Sequence, residues 1–226
     1  MDDEHTPRGS DHRLVFFDLD GTITRRDTLI GYVTGFALRH PFRLLGFIRA
    51  LPALFAFLLG DRDRGRLKGA LIHAVMGGAS RAAVTEWTRR YVPRLLASGI
   101  FVEARECIDR HREAGDHLVL MSATVDLYVP ELAAALGFDD HLCSGVQWSG
   151  DRLDGRLVTA NVRDHEKARL LQAKAARLPG RRIMAYGNSQ PDLPHLRLAD
   201  EAVLVNPGKR LRKAATGSHF RFKKWK

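Results

Sequence analysis

The run Leu14–Phe17, which leads directly into Asp18-Leu-Asp-Gly-Thr22, constrains the fold of this chain more than any other feature. A short apolar run bounded by polar residues is typical of a strand that is buried on both faces of a parallel sheet. Similar runs follow at wide spacing: His117–Met121, Arg182–Tyr186 and Ala202–Val205. Because helical patterns separate these runs, the sequence predicts an α/β fold with a doubly wound, mostly parallel, Rossmann-like sheet.

A long segment of different composition, from about Asp27 to Gly99, separates the first two predicted strands. Leu, Ala, Phe and Arg dominate it, and Pro41, Pro52, Gly60 and Gly77-Gly78 interrupt it, which predicts an inserted helical cap. Further helices are predicted over 101–114, from Ser122 to about Leu136 and over 166–177, with a β-hairpin or small meander over 142–162. The chain is thus divided into a disordered N-terminus (1–12), a Rossmann-like core (13–26 and 100–213), the helical cap (27–99) and a basic aromatic tail (214–226).

Charge is distributed unevenly along the chain, whose formal net charge is +10. The segment Thr28–Ile100 carries eleven Lys and Arg against three acidic residues, and Pro207–Lys226 carries eight against none, so the remainder is net negative. Phosphates, anionic lipid or nucleic acid are the expected partners of such basic segments. The composition, 45% hydrophobic and 27% charged, excludes a disordered or fibrous chain. Two cysteines cannot form a disulfide framework, and the polar opening does not resemble a secretory leader, so we expect a cytoplasmic location.

Polar side chains follow three of the predicted strands at the point where each strand ends. Asp18 and Asp20 follow the first, Ser122 the second, and Asn188 with Asp192 the third. Ligands of doubly wound sheets bind beyond the carboxyl ends of the strands. Two carboxylates, or one carboxylate and a backbone carbonyl, would suit Mg²⁺, which prefers oxygen ligands. Taken alone, the Asp-x-Asp pair is more typical of a helix cap, because Asp is a common cap residue.

The polar clusters occur in a characteristic order: DLDGT, an apolar strand ending in Ser-Ala-Thr, the helix-opening Lys167, and GNSQPD. This order resembles the four motifs of the haloacid dehalogenase superfamily of phosphotransferases, over about Leu14 to Lys213. The resemblance implies that Asp18 is a nucleophile that forms an aspartyl-phosphate. It implies that Asp20 protonates the leaving alcohol, activates water and binds metal through its backbone carbonyl.

The same resemblance implies the remaining parts of a phosphate site. Ser122 and backbone amides around Ala123, at the start of the predicted helix, would bind phosphate oxygens, and Lys167 would neutralise them. Thr22 would add a further phosphate contact. Asn188 stands where the family usually has a metal-binding Asp, so Mg²⁺ should bind more weakly. Asp192 would compensate directly or orient a metal-bound water; the implied metal ligands are Asp18, Asp20, Asn188 and Asp192.

The position of the cap resembles the branch of the family that contains phosphoserine phosphatases, and within it most resembles the bacterial phosphatidylglycerophosphatases C, which act on a lipid. VFFDLDGT, Asp27, the Leu/Phe/Pro-rich stretch and His165-Glu-Lys167 carry this likeness. Phosphoserine phosphatases place a Glu at the position of Asp27 to bind the substrate amino group, and the shorter Asp weakens that interpretation. Alternatively, Asp27 simply caps the first helix of the cap.

Two segments suggest a membrane surface. Leu44–Leu59 has one charge, Arg49; as a helix it would reach roughly 24 Å, short of the roughly 30 Å hydrocarbon core, and we expect Pro52 to break or kink it. It is therefore predicted to lie in the interface, or else to be a helical hairpin buried in the cap. In the tail, cations alternate with Phe220, Phe222 and Trp225, which suits anionic headgroups, nucleic acid or simple solubility.

Three hypotheses follow. The first is a Mg²⁺-dependent phosphomonoesterase that acts on a lipid phosphate, such as phosphatidylglycerophosphate, as a peripheral protein at the inner face of a membrane. The second is a soluble phosphatase for phosphoserine or another small phosphomonoester. The third is a non-catalytic module that binds a membrane or nucleic acid, because Asn188 weakens the metal site.

Overall fold

A parallel sheet of six strands forms the centre of the molecule in a computed structural model, which describes residues 12–60 and 63–226. The strand order is β3-β2-β1-β6-β7-β8, and all neighbours run parallel. A separate antiparallel hairpin is made by β4 and β5. The strands are β1 (Leu14–Phe17), β2 (His117–Val125), β3 (Asp140–Ser144), β4 (Val146–Ser149), β5 (Arg152–Leu157), β6 (Ile183–Gly187), β7 (Glu201–Val205) and β8 (Phe220–Lys223). The predicted doubly wound α/β fold is confirmed.

Helices cover both faces of this sheet and build the cap. They are α1 (Thr28–Arg39), α2 (Leu45–Leu58), α3 (Arg64–Met76), α4 (Arg81–Ser98), α5 (Val102–Glu113), α6 (Val129–Leu136), α7 (His165–Arg177), α8 (Leu193–Leu196) and α9 (Lys209–Ala214). Strand β1 lies between β2 and β6, and its four residues are fully buried. Successive side chains of β1 point to opposite faces of the sheet and therefore pack in two apolar cores. Phe17 packs on the cap side, and Phe16 packs on the side of α7 and α8.

Strand β2 is longer than predicted, so the predicted helix start at Ser122 is wrong. The strand continues through Ser122 to Val125, and α6 begins only at Val129, with Pro130 in its first turn. Helix α6 ends at Leu136 and is capped by Gly137, which adopts a left-handed φ of 76°. Ser122 and Ala123 therefore lie within an extended segment and not at a helix amino terminus.

The hairpin β4–β5 packs on the cap helix α3, although its residues belong to the predicted core segment. The amide of Gly78 donates to the carbonyl of Leu153 at 2.8 Å, and Ser80 forms an isolated bridge with Arg152. The cap surface is thus helical from α1 to α4 and completed by two strands from later in the chain. The predicted N-terminal disordered segment lies outside the described residues, apart from His12.

The carboxyl-terminal segment differs from the predicted free tail. Residues 220–223 form β8, which pairs with β7 and completes the sheet. Beyond it, Trp225 is only 6% exposed and contacts the rings of Tyr186 and Phe101, each at a centroid distance of 6.3 Å. The prediction of a separate aromatic tail is wrong because the edge of β7 offers unpaired backbone groups, and β8 satisfies them.

The apolar cap helix α2 is continuous through Pro52, so of the predicted break or kink the break does not occur. Residue 52 is on the exposed side, where water can satisfy the carbonyl that loses its partner. One face of α2 packs on α3, and Gly46 is so close that an added Cβ would lie 2.2 Å from the carbonyl oxygen of Ala74. Only Gly46 and Ala50 of this helix are buried. The alternative prediction, a helical hairpin buried in the cap, is therefore wrong: the segment is one continuous helix whose outer face is uncovered.

The outer surface of the cap is strongly apolar. We call it the cap apolar face; its most exposed members are Leu38, Phe42, Leu45, Ile48, Phe55, Leu58 and Leu59, each more than half exposed. With the 3₁₀ turn before α2, Pro41–Leu58 meets the length and hydropathy criteria for a membrane span, with a mean hydropathy of 1.5 over 18 residues. It is the one such segment in the described part of the chain.

Candidate active site

A buried lysine between two carboxylates forms the floor of a cavity at the carboxyl ends of β1 and β6. The Nζ of Lys167, at the start of α7, lies 2.5 Å from Oδ1 of Asp18 and 2.7 Å from Oδ1 of Asp192. All three residues are buried. Burial alone would lower the pKa of Lys167, but the charges of Asp18 and Asp192 hold it above its usual value. Lys167 is therefore a permanent cation at the floor of the cavity.

Asp18 has a partner for each oxygen. Its Oδ1 accepts from Lys167, and its Oδ2 accepts from the hydroxyl of Thr22 at 2.9 Å. Burial raises the pKa of Asp18 to about 6, while the Lys167 cation opposes this shift. At neutral pH the side chain is therefore mainly an ionised carboxylate, fixed in one orientation by two donors.

Both oxygens of Asp192 are used to hold other groups. Oδ1 accepts from Lys167, and Oδ2 accepts from the amides of Asn188 and Ser189 at 3.1 and 2.9 Å and from the Ser189 hydroxyl at 2.7 Å. Although burial raises the pKa of Asp192, the Lys167 charge lowers it well below the usual range. With three donors on Oδ2 and Lys167 on Oδ1, Asp192 ties the Asn188–Ser189 turn to Lys167.

Asp20 is held by the start of the cap. Its Oδ1 accepts from both the amide and the hydroxyl of Thr28, each at 2.7 Å. The Thr28 hydroxyl meets the hydroxyl of Tyr128 at 2.7 Å, which in turn meets that of Thr124 at 2.7 Å. Burial, and next the charge of Asp27, raise the pKa of Asp20 to about 7. A carboxyl that titrates near neutral pH suits both proton donation and proton abstraction.

Ser122 lines the cavity from within β2, three residues before the strand ends. Its Oγ accepts from the amide of Thr124 at 3.1 Å, so the extended segment supplies a local bond in place of the predicted helix start. The carbonyl of Ala123 accepts from the Ser144 hydroxyl at 3.0 Å and from Nζ of Lys68. Ser122 thus belongs to the same hydrogen-bonded chain as Asp20, through Thr124 and Tyr128.

Lys68 enters the cavity from cap helix α3, a position that the sequence analysis missed. In addition to Ala123, its Nζ donates to Oδ1 of Asn161 at 2.9 Å. Burial lowers the pKa of Lys68 to about 8. The sequence offered only a weak signal, a Lys among many cap cations, because its neighbours Ala123 and Asn161 are distant in the chain. Arg64 and Arg163 also line the cavity.

The cavity has a volume of about 270 Å³ and gathers most of the predicted site residues. Seven of them line it: Asp18, Asp20, Asp27, Ser122, Ala123, Lys167 and Asp192. Thr22 lies behind Asp18, and Asp27 uses Oδ1 to accept from the amide of Ile30 at 3.0 Å as the cap of α1. The cap contributes Arg64 and Lys68 and also an apolar wall, which comprises Leu29, Ile30, Phe57, Leu67 and Leu71.

Asn188 lies beside the Asp18–Thr22 loop without lining the cavity. The φ of Gly21 is 81°, a value that favours glycine, and an added Cβ there would lie 2.0 Å from the side-chain nitrogen of Asn188 and would displace it. The Asp18 carboxylate, the Asp20 carbonyl and the side-chain oxygen of Asn188 are oxygen donors, which is the ligand type that Mg²⁺ prefers. The described residues contain no group of three or more His, Cys, Asp or Glu that could hold a metal ion.

Comparison with known proteins identifies the family. The family model of haloacid dehalogenase-like hydrolases matches residues 15–197. Protein CicA of Caulobacter vibrioides is 31% identical over 195 residues, covering 85% of this chain and 86% of that protein. Phosphoserine phosphatase SerB1 of Mycobacterium tuberculosis is 31% identical over 210 residues, covering 89% and 67%.

A solved structure from Bordetella pertussis Tohama I, of a protein with unknown function, has a similar fold. Its TM-score is 0.77 at 20% identity, and the match covers 93% of this chain and 97% of that one. The family model spans both core segments and the cap between them, and its range includes every predicted site residue. The chain therefore belongs to the haloacid dehalogenase-like hydrolases and is a phosphatase of that family.

Proposed function

We propose that this phosphatase hydrolyses a lipid phosphomonoester, such as phosphatidylglycerophosphate, through an aspartyl-phosphate on Asp18 and with Mg²⁺ as its cofactor. It would act at an anionic membrane surface, on the inner face of the membrane. One observation carries the proposal: a charged floor for a phosphate, made by Asp18, Lys167 and Ser122, lies below an apolar cap wall next to the cap apolar face.

The proposed reaction has two displacement steps. A carboxylate oxygen of Asp18 forms a bond to phosphorus while the bond to the leaving oxygen breaks, and the Asp20 carboxyl donates its proton to that oxygen. In the second step Asp20 accepts a proton from water as the water oxygen attacks phosphorus, which releases phosphate and regenerates Asp18. Lys167 and Ser122 bind the phosphoryl oxygens throughout.

The donor chemistry of the site fits the proposed cofactor. The Asp18 carboxylate, the Asp20 carbonyl and the Asn188 amide would hold Mg²⁺, and Asp192 would orient the surrounding turn. When bound, Mg²⁺ supplies positive charge that neutralises the phosphoryl group. Because Asn188 contributes a neutral oxygen, we expect the affinity to be lower than with a third carboxylate.

The cap wall supports a substrate with an apolar part. Ile30 is 53% exposed and lines the cavity, so the apolar wall continues from the site to the outside of the cap. Burying each large apolar side chain against an acyl chain contributes about 1.5–3 kcal/mol. A small, wholly polar substrate would gain nothing from these apolar side chains.

The cap apolar face supports the membrane partner. No acidic residue occurs between Thr28 and Gly60, whereas Arg39, Arg43 and Arg49 do. An exposed apolar helix face with only cationic neighbours matches the interfacial helices of peripheral proteins. Anionic headgroups attract such cations by about 1 kcal/mol for each Lys or Arg near the surface.

A soluble phosphatase for phosphoserine or another small phosphomonoester is the second candidate. The name of the relative phosphoserine phosphatase SerB1, and the presence of Asp27 in the cavity lining, favour it. The third hypothesis, a non-catalytic module, has less support because Asp18, Lys167 and Asp20 retain the hydrogen bonds that the proposed chemistry needs.

The test compares phosphate release with Mg²⁺ from three substrates: phosphatidylglycerophosphate in vesicles, phosphoserine, and a simple aryl phosphate. We expect the lipid to have the highest kcat/KM, and Asp18→Asn, which keeps the side-chain shape, to lose activity on all three. Preference for phosphoserine would establish the second candidate. Absence of phosphate release from every substrate would support the non-catalytic module.

A further inference from the structure

The phenol of Tyr128 belongs to a buried chain of hydroxyl groups that ends on Asp20, the acid and base of the proposed reaction. Tyr128 lies between β2 and α6 and is fully buried. Its hydroxyl oxygen is 2.7 Å from the hydroxyl of Thr28 and 2.7 Å from that of Thr124. The Thr28 hydroxyl donates to Oδ1 of Asp20 at 2.7 Å. A core residue thus reaches Asp20 through the first residue of cap helix α1.

The two oxygens of the Asp20 carboxyl have different surroundings. Oδ1 accepts two hydrogen bonds, from the amide and from the hydroxyl of Thr28. Within residues 12–60 and 63–226 no group donates to Oδ2, and Asp20 lines the catalytic cavity. Oδ1 is therefore the anchored oxygen, and Oδ2 is the oxygen that can carry a proton to the leaving group.

The direction of the hydrogen bonds follows from the number of protons in the chain. Burial raises the pKa of Tyr128 well above its usual value, so the phenol keeps its one proton. Because a carboxylate oxygen only accepts, the Thr28 hydroxyl uses its single proton on Oδ1 and must itself accept from Tyr128. Without that donor, the Thr28 hydroxyl could instead accept a proton from Oδ1, and the acid proton would then lie on the anchored oxygen.

Packing by the cap fixes the position of this phenol. The ring of Tyr32 is stacked on that of Tyr128 at a centroid distance of 4.5 Å, and the ring of Tyr91 meets it edge-on at 5.5 Å. The Tyr91 hydroxyl also donates to the carbonyl of Thr28 at 2.7 Å. Thr28 is therefore held at its carbonyl by one tyrosine and at its hydroxyl by another, and a buried network with all its partners in place favours a single geometry.

We propose that Tyr128 is a positioning residue for the phosphatase reaction, which acts through the Thr28 hydroxyl to keep the acid proton on Oδ2 of Asp20, where the substrate binds. The inference rests on the proposed acid role of Asp20 but not on a lipid substrate. The alkoxide that leaves an alkyl phosphate needs this proton, whereas a nitrophenolate leaves readily without one. Loss of the positioning bond should therefore slow phosphoryl transfer from alkyl phosphates and spare an activated aryl phosphate.

The test compares kcat/KM, which reports phosphoryl transfer to Asp18, for two substrates in the presence of Mg²⁺. One is 4-nitrophenyl phosphate; the other is phosphatidylglycerophosphate or phosphoserine, whichever the unaltered protein hydrolyses faster. Tyr128→Phe, which keeps the ring, should lower kcat/KM about tenfold for the alkyl phosphate and at most about twofold for the aryl phosphate. A merely structural role of Tyr128 would lower both values equally.

Variants of Thr28 test whether the effect passes through its hydroxyl. Thr28→Val should show the same preference for the aryl phosphate, and Thr28→Ser, which keeps the hydroxyl, should behave like the unaltered protein. Combining Tyr128→Phe with Thr28→Val should be no slower than Thr28→Val alone, because both changes remove the same hydrogen bond to Asp20. Losses that multiply in the double variant would overturn the proposal, as would equal losses on the two substrates in Tyr128→Phe.

Tyr32→Phe is the matched control. It removes a buried hydroxyl from the same group of rings, but that hydroxyl meets Thr88 at 2.7 Å and lies outside the chain to Asp20. The ratio of the two kcat/KM values should therefore stay unchanged in this variant.

Asp20→Asn separates this inference from the proposed function. It should lower kcat/KM for the alkyl phosphate roughly 100-fold and for the aryl phosphate much less. If it shows no such difference, the acid role of Asp20 and the role of Tyr128 both fail. A difference in Asp20→Asn without one in Tyr128→Phe would reject the role of Tyr128 alone.

Discussion

Two segments of this chain have a similar composition, but one exposes its apolar side chains and the other buries an aromatic one. Residues 41–59 in the cap and 207–226 at the carboxyl terminus both combine apolar or aromatic residues with basic ones and lack acidic residues. In the structure, the cap segment presents most of its apolar side chains to the outside, with Phe42 at 91% exposure, whereas Trp225 of the terminal segment is 6% exposed. The composition of a segment therefore does not decide whether its apolar groups are available to a partner.

The two segments differ in where their backbone amides and carbonyls find hydrogen-bond partners. A helix such as α2 satisfies its own amides and carbonyls, so only its side chains determine what it packs against. The edge of β7 leaves a row of unsatisfied backbone groups, and the terminal segment pairs with it as β8. The basic side chains Arg221 and Lys223 then point from an edge strand, where charge discourages further strand pairing.

The largest expected effect is on the terminal segment, which we expect to stabilise the fold. Trp225→Ala should lower the free energy of unfolding by about 3–5 kcal/mol, because it removes a buried aromatic side chain from Tyr186 and Phe101. Denaturant unfolding measures this change. Phe222→Ala, at a position 40% exposed, is the matched control and should cost about 1 kcal/mol or less. Equal losses in both variants would mean that Trp225 is not an anchor of the sheet edge.

The second prediction concerns the cap apolar face, which we expect to bind a membrane without stabilising the fold. Phe55→Ser with Leu58→Ser should change the free energy of unfolding by no more than about 1 kcal/mol, because both side chains are more than half exposed. Binding to anionic vesicles should fall at least tenfold, because about 1.5–3 kcal/mol is lost for each apolar group no longer buried in lipid. Co-sedimentation measures the partition.

Val102→Ser is the control for this pair. Val102 is 61% exposed but lies on α5, outside the cap apolar face, so its substitution should leave vesicle binding unchanged. If the Phe55/Leu58 double variant bound vesicles as strongly as the unaltered protein, α2 would not be a membrane-binding element. The contrast between the two segments would then be one of packing alone.

The sequence predicted the parts of the site that depend on strand order. Asp18, Ser122 and Asp192 converge because parallel neighbours β1, β2 and β6 end at the same edge, and short apolar runs identify such strands. Lys68 and Asn161 were not predictable in the same way. They meet only through the packing of α3 against residues near the hairpin, and no local pattern encodes that contact.

The same reasoning explains the errors in the predicted fold. Because Ser commonly caps a helix, the sequence predicts one from Ser122, but the pairing of β2 with β3 extends the strand to Val125. The many cations of the terminal segment predict a tail, although Phe220 and Phe222 alternate with Arg221 and Lys223 in a way that suits an edge strand. In both cases a tertiary contact overrides the local signal.

The smallest expected effect separates the inner side of the cap from its outer face. Burial lowers the pKa of Lys68 to about 8, so its charge is present below pH 8 and is lost as the pH rises through that value. If this cation attracts the phosphate substrate, KM should rise several-fold between pH 7 and pH 9. Lys68→Arg, whose guanidinium remains charged, should show a flatter profile. The ratio of the KM of the unaltered protein to that of Lys68→Arg cancels the titration of groups that both proteins share, such as Asp20. If this ratio does not change with pH, Lys68 positions Ala123 and Asn161 without contributing charge to substrate binding.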